Sequence, residues 1–466
     1  MTLRRQLGLG AAVSLVIGEV IAVGIFLTPA QMARSVGSPF WLLAIWLVMG
    51  VMAYCGALCY GELAARHPEA GGGYVYLREA YGPGTAFLYG WKCLLVLDPG
   101  LTAAFGMGLA SYAGFVTGMS ASGQKVLAIA AIALLAVVNI LGLRFGARVI
   151  ATLTIAKLGL LGLIILAGFV SGAGSWGNFI PFVEQRSGSL PLGAALAGGM
   201  VAAFFSFAGW WDAAKLAGEV KDPGRVLPRA LGLGVLMVTA VYVLTSAVFL
   251  YLVPLEQVTS GEAFAAQAGQ AIFGTAGAVV FSSIVIVSVT TSLAVYLMVA
   301  PRVYYAMARD GLFFKAVAEV SPRFGTPARA ILIQAVLACV LVLLGTFNQV
   351  VAYLIFVTVL FVAFTVAALF VLRRRPAPDG TYRTTGYPVT PLVFLVLVAV
   401  LLFLLASNNP REAGLGAVVV ALGLPVYLLG FRKQAAGNRQ QATGSRQQAT
   451  GSRQQATGLR AEEDEL

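Results

Sequence analysis

Five ionisable side chains stand inside long apolar runs: Glu19, Lys92, Asp98, Lys157 and, near the end of its run, Asp212. In hydrocarbon such groups are costly, and they mark ion or substrate paths, proton relays or internal pairs. A carboxylate in that setting can hold an ammonium group or carry a proton, and a lysine can stand as a fixed cation. Lys157 is flanked by apolar sequence on both sides, ATLTIAKLGLLGLIILAG, so it must face the protein interior and find acceptors there. Lys92 and Asp212 also admit a blander reading, snorkelling toward an interface. The single histidine, His67, falls in a loop, which excludes a histidine-built metal or haem site. Cys55, Cys59, Cys93 and Cys339 all lie in apolar stretches, without the paired loop spacing of a disulfide framework or zinc site. They read as small packing residues. No base–nucleophile spacing suggests an enzyme, and neither a metal nor a cofactor is expected.

The elements that must position these groups follow from composition. Of 466 residues, 59% are apolar and 11% charged, and mean hydropathy is +0.87. A membrane span takes about 20 apolar residues. A soluble enzyme, a disordered scaffold and a secreted disulfide-rich module are thereby excluded, and the chain reads as an all-α polytopic membrane protein embedded in a lipid bilayer. Twelve spans fall near 10–34, 39–65, 85–117, 125–143, 147–171, 191–216, 229–253, 273–308, 328–346, 349–372, 388–407 and 414–431. The first run follows Arg4 and Arg5, is too long for a signal-peptide core and leads into further spans, so it is read as a retained helix. With the N-terminus in the cytoplasm, 25 of the 31 Lys and Arg residues fall on the cytoplasmic side. Arg34, Lys125, Arg186 and Arg411 fall opposite, and Lys92 and Lys157 lie within spans. This is the positive-inside pattern, with both termini cytoplasmic. It accounts for the net charge of +12 without nucleic acid. Residues 432–466 repeat RQQATGS almost perfectly, with no apolar seam, and are expected to be a disordered tail.

Two spans carry interruptions in corresponding places. The first reads VIGEVIAVGIFLTP, with Gly18, Gly24 and Pro29. The sixth reads ALAGGMVAAFFSFAGWWDAAKLAGEV, with Gly198, Gly199, Ser206 and Gly209. Broken backbone at membrane depth is tolerated where it lines a cavity, and such a pair points to two repeats of five helices with a site at their junction. Glycine also serves close helix packing, so both readings stand at this level.

The sequence resembles the amino acid–polyamine–organocation superfamily, closest to its L-type amino acid transporter branch. The resemblance is carried by GEVIAVGIFLTPA, by YGELAARHPEAGGGYVYLREAYGPGTAFLYGW, by FSFAGWWDAAKLAGEVKDPGRVLPRAL and by APRVYYAMARDG, spread over residues 10–330. It implies the five-plus-five inverted-repeat, LeuT-like fold with broken helices 1 and 6. The repeats then cover about 10–171 and 191–372, and peripheral helices cover about 388–431. It implies alternating access around a midplane site. By position, Ala22, Val23 and Gly24 become the unwound stretch, whose free amides would face a substrate carboxylate. Carbonyls around Val20, Phe205 and Ala208, beside Ser206, would meet the substrate ammonium. Phe205 matches an aromatic gate and Trp210 the tryptophan after the glycine. Lys157 matches a lysine that stands where sodium-coupled relatives hold sodium, bridging span 1 to Ser288 of span 8. Sodium independence follows.

The chain departs from the branch at several of these positions. Ala-Val-Gly replaces Gly-Ser-Gly, and Glu19 and Asp98 add acids beside or near the site. Glu19 has three readings: a structural pair with Lys157, a contact to a second substrate amino group, or a proton carrier. The expected function is sodium-independent amino acid transport by exchange or proton coupling, with an amine, polyamine or cationic amino acid antiporter as the alternative. The loop GMSASGQK has no cysteine, so no disulfide-linked heavy subunit is expected. A cell-membrane location is expected.

Overall fold

Glycine and proline set where the helices stop. In this computed structural model, which describes residues 3–22, 24–258, 268–344, 355–377, 380–408 and 410–432, the first span is two helices, α1 (Leu9–Val20) and α2 (Gly24–Val36). Ile21 turns off the helical path (ψ 80°), and its N–H makes the last bond back to Ile17. Val23, the residues expected at the junction of spans 9 and 10, and the repeat tail lie outside the described residues. α3 (Pro39–Arg66) opens on a Ser38 hydroxyl cap and a first-turn proline, a favourable start because proline has no N–H to leave orphaned. The glycine-rich loop after it contains a helix that hydropathy alone does not reveal, α4 (Gly73–Tyr81).

The third span is not uniform. α5 (Pro83–Lys92) loosens into a π-helical turn, Cys93–Leu97, before α6 (Asp98–Thr117). Pro99 supplies no amide hydrogen and crowds the preceding turn, which accounts for the looser winding directly ahead of Asp98. α7 (Ala121–Ile140) and α8 (Leu143–Val170) follow. The sixth span leaves the α-helix after α9 (Leu192–Phe207), passes an extended Ala208 and resumes as the tighter helix Asp212–Glu219. The rest comprises α10 (Pro223–Leu252), α11 (Gly277–Val299), α12 (Pro301–Arg309), α13 (Ala328–Leu344), α14 (Ile355–Leu372), α15 (Val389–Asn408) and α16 (Pro410–Val426).

Among the described residues, eight helices are long and apolar enough to cross a membrane, and four shorter apolar ones fall where spans 1, 9, 10 and 12 are expected. α10 packs along α3 and α1, α2 lies against α9, and α11 touches α6, α8 and α1. The broken helices therefore sit inside the bundle. Ile155, Leu163, Leu166 and Val170 of α8 and Phe403 of α15 point outward. Apolar side chains turned outward along spans of this length need lipid as their solvent. The chain is an integral membrane protein.

One end of the bundle is closed by polar contacts. The buried Arg302 guanidinium donates to both oxygens of buried Glu219, at 2.7 and 3.1 Å, and to the Met298 carbonyl. The Glu219 carbonyl accepts from the Gln6 and Leu7 N–H groups at 2.7 and 3.0 Å, and the Lys221 N–H returns to Leu7 at 2.8 Å. Arg78 reaches Asp310 at 2.5 Å and Glu69 at 2.9 Å. Burial opposes the Arg78 charge, but the Asp310 and Glu69 carboxylates outweigh it and hold its pKa above the ordinary value.

Candidate substrate cavity between the broken helices

The two interruptions meet. A side chain at Gly24 would come within 2.7 Å of the Ser206 hydroxyl, and one at Gly209 within 2.9 Å of Glu19 Cγ. Gly209 also has φ +105°, a conformation other residues rarely adopt. The Tyr242 hydroxyl lies 2.8 Å from the Val20 carbonyl, where α1 ends, and 2.7 Å from the Ser206 carbonyl near the end of α9. One phenolic proton thus serves both helix ends. Thr28 Oγ1 and Ser206 Oγ lie 2.9 Å apart across the same junction.

Between these breaks is a cavity of about 50 Å³. Glu19, Val20, Ala22 and Gly24 of the first span line it, with Phe205, Ser206, Ala208, Trp211 and Asp212 of the sixth. Leu97, Leu101, Phe105, Tyr296 and Thr358 complete the wall. Trp210, expected at the substrate, lies elsewhere: it is buried against Tyr60 and Phe394, in space left by the missing side chain of Gly56. Its neighbour Trp211 faces the cavity instead. Asp98 sits behind the lining. The Tyr296 and Tyr304 hydroxyls donate to its two oxygens at 2.7 and 2.6 Å.

Lys157 is fully buried and does not pair with Glu19. Its ammonium donates to the Gly18 carbonyl at 2.9 Å, to the Ile21 carbonyl and to the Ser292 hydroxyl at 3.4 Å. Those three acceptors use its three N–H bonds. Ser288, the expected partner on span 8, donates instead to the Ile21 carbonyl at 3.1 Å, while Ser292, one turn on, is 2.7 Å from the Gly18 carbonyl. Lysine and serines together satisfy the carbonyls that the end of α1 leaves free.

Glu19 is 3% exposed, and neither carboxyl oxygen meets a hydrogen-bond donor. The charges of Asp212, Lys215 and Asp98 act on it. Lys215 lies 2.9 Å from Asp212 and 3.9 Å from Asp98. Three carboxyls therefore face one ammonium. Lys215, Tyr242, Tyr296, Tyr304 and Ser292 are absent from the sequence-based site. Lys215 was detectable as the base at i+3 from Asp212 on one helix, whereas the others needed tertiary packing. Lys92 stays buried, 4.8 Å over the Tyr89 ring. Among the described residues no three His, Cys, Asp or Glu side chains gather as metal ligands.

A family profile described as amino acid permease matches residues 7–424. The chain belongs to the amino acid permease family. The permease is 32% identical over 428 residues to the serine/threonine exchanger SteT of Bacillus subtilis (strain 168), covering 91% of this chain and 96% of the other. It is 31% identical over 412 residues to the human b(0,+)-type amino acid transporter 1, covering 86% and 82%. Over 434 residues it is 30% identical to the mouse Asc-type amino acid transporter 1, covering 91% and 81%. The resemblance carried by the span 1, loop and span 6 motifs thus holds across the permease, not only over residues 10–330.

Proposed function

We propose that the permease is a sodium-independent secondary transporter that moves amino acids by alternating access, as an exchanger or with proton coupling. The observation that carries this reading is the broken first span. Its freed backbone borders a cavity at Ala22 and Gly24, while the Lys157 ammonium caps the carbonyls of Gly18 and Ile21. The α2 amides suit a substrate carboxylate, and the Val20, Phe205 and Ala208 carbonyls suit its ammonium. A fixed ammonium leaves no charge vacancy for sodium. The relatives named above support amino acid substrates.

In this reading twelve spans form two inverted repeats with two peripheral helices, both termini are cytoplasmic, and the repeat tail is disordered. The protein works in the cell membrane without a disulfide-linked partner. Glu19 acts on protons: an enclosed carboxyl without a donor is stable with a proton or a cation beside it. The test is uptake of a radiolabelled amino acid and polyamine panel into proteoliposomes, with and without sodium and a pH gradient. Amino acid uptake that persists when sodium is replaced by choline is expected, and strict sodium dependence overturns the reading.

A second reading, antiport of cationic amino acids or polyamines, is favoured by Glu19 and Asp212 on the cavity wall with Asp98 behind them. In the same assay it predicts that lysine, arginine or putrescine outcompetes serine and leucine.

A further inference from the structure

A second cavity, of about 560 Å³, lies where α3 and α14 end and the segment leading to α15 begins. Its lining includes Arg66, Arg373, Arg374, Arg375, Arg383 and Tyr387. Two of these arginines are committed. Arg66 and Arg373 bind buried Glu62 at 3.0 and 2.5 Å, and Arg373 also stacks 3.6 Å over the Tyr387 ring. The Glu62 carboxylate is further held by the Thr384 N–H at 2.7 Å. The scaffold is therefore rigid and its only described acid is already saturated. Arg374, Arg375 and Arg383 are exposed and have no carboxylate partner among the described residues. Asp379 lies outside those residues.

Among the described residues, five guanidinium groups against one carboxylate make a cationic concavity, and guanidinium forks match phosphate oxygens. Its position is equally informative. Val389, Leu392 and Val396 of α15 and Phe364 of α14 are exposed apolar residues, so the cavity lies at the ends of two helices that turn apolar side chains outward. The topology proposed above puts this end in the cytoplasm, where acidic headgroups are enriched.

We propose that this cavity binds a phosphate-bearing anion, either the headgroup of an acidic phospholipid or a soluble phosphate. The test measures the thermal stability of the full-length protein in neutral detergent with added phosphatidylglycerol, phosphatidylcholine, inorganic phosphate, or sodium chloride at matched ionic strength. Phosphatidylglycerol should raise the melting temperature and phosphatidylcholine should not. Apparent affinity should fall about fivefold for each arginine removed in R374Q/R375Q/R383Q. The equal charge loss K315Q/R323Q/R329Q, ahead of α13 and in its first turn, should leave the shift intact. A shift with inorganic phosphate alone identifies a soluble occupant, whereas a shift with lipid only identifies the headgroup. Equal shifts with sodium chloride, equal loss in both triple variants, or no shift with any anion overturns the proposal. Should R374Q/R375Q/R383Q not fold, native mass spectrometry of the unaltered protein decides. Phosphatidylglycerol retained over phosphatidylcholine supports the site, and equal retention overturns it.

Discussion

At residue scale, Glu19 and Lys157 separate into different tasks. Glu19→Gln keeps the shape of the side chain and removes its titration. Under the proton-carrier reading, exchange of internal for external substrate persists while accumulation driven by a pH gradient disappears. Accumulation unchanged in that variant would exclude Glu19 as the carrier. Lys157→Met removes the ammonium but leaves the Ser292 and Ser288 hydroxyls on the Gly18 and Ile21 carbonyls. Stability should therefore fall by only about 1–3 kcal/mol, read from thermal unfolding in detergent, while uptake is abolished. His67 is the control for pH. Burial holds its imidazole below the ordinary value of 6.5, so the folded chain resists a proton that the unfolded chain accepts. Its contribution to stability is present above pH 6.5 and is lost as pH falls through that value toward the folded one. Melting temperature should drop less between pH 7 and 5 in His67→Gln than in the parent, and equal slopes would refute this.

At the scale of elements, the junction of the first and sixth spans depends on glycines that cannot grow. Gly209→Ala forces a Cβ into a positive-φ position and against Glu19. A cost of about 1–3 kcal/mol is expected, with uptake lost, whereas Gly118→Ala, also at positive φ but in open space, should cost stability without loss of uptake. These interruptions were legible in sequence because glycine and proline are read directly against a helical background. The π turn at Cys93–Leu97 and the helix Gly73–Tyr81 were not. The first leaves hydropathy unchanged, and the second is too polar to register as a span. Side-chain direction was equally hidden. Trp210 and Trp211 are adjacent, and only the turn at Gly209 decides which of them faces the cavity.

At the scale of the whole molecule, the closed end of the bundle is held by a buried ion pair whose partners come from the ends of span 6 and span 8. Removing one charge leaves the other buried, so Glu219→Gln or Arg302→Met should cost about 3–5 kcal/mol, and the double variant less than the sum. A thermal double-mutant cycle measures this, and strict additivity would argue against the pairing. The sequence made the membrane class and the charge asymmetry readable, since both are sums over many residues. It did not reveal that Glu219, Arg302 and Gln6–Leu7 converge, because that requires chain segments far apart to be folded together. The parallel pairing of Leu7 with Val220 has a practical consequence for handling the protein. A bulky fusion ahead of Met1 would tug on the same short stretch that pins the end of the sixth span, so purification handles and fluorescent reporters belong behind residue 431.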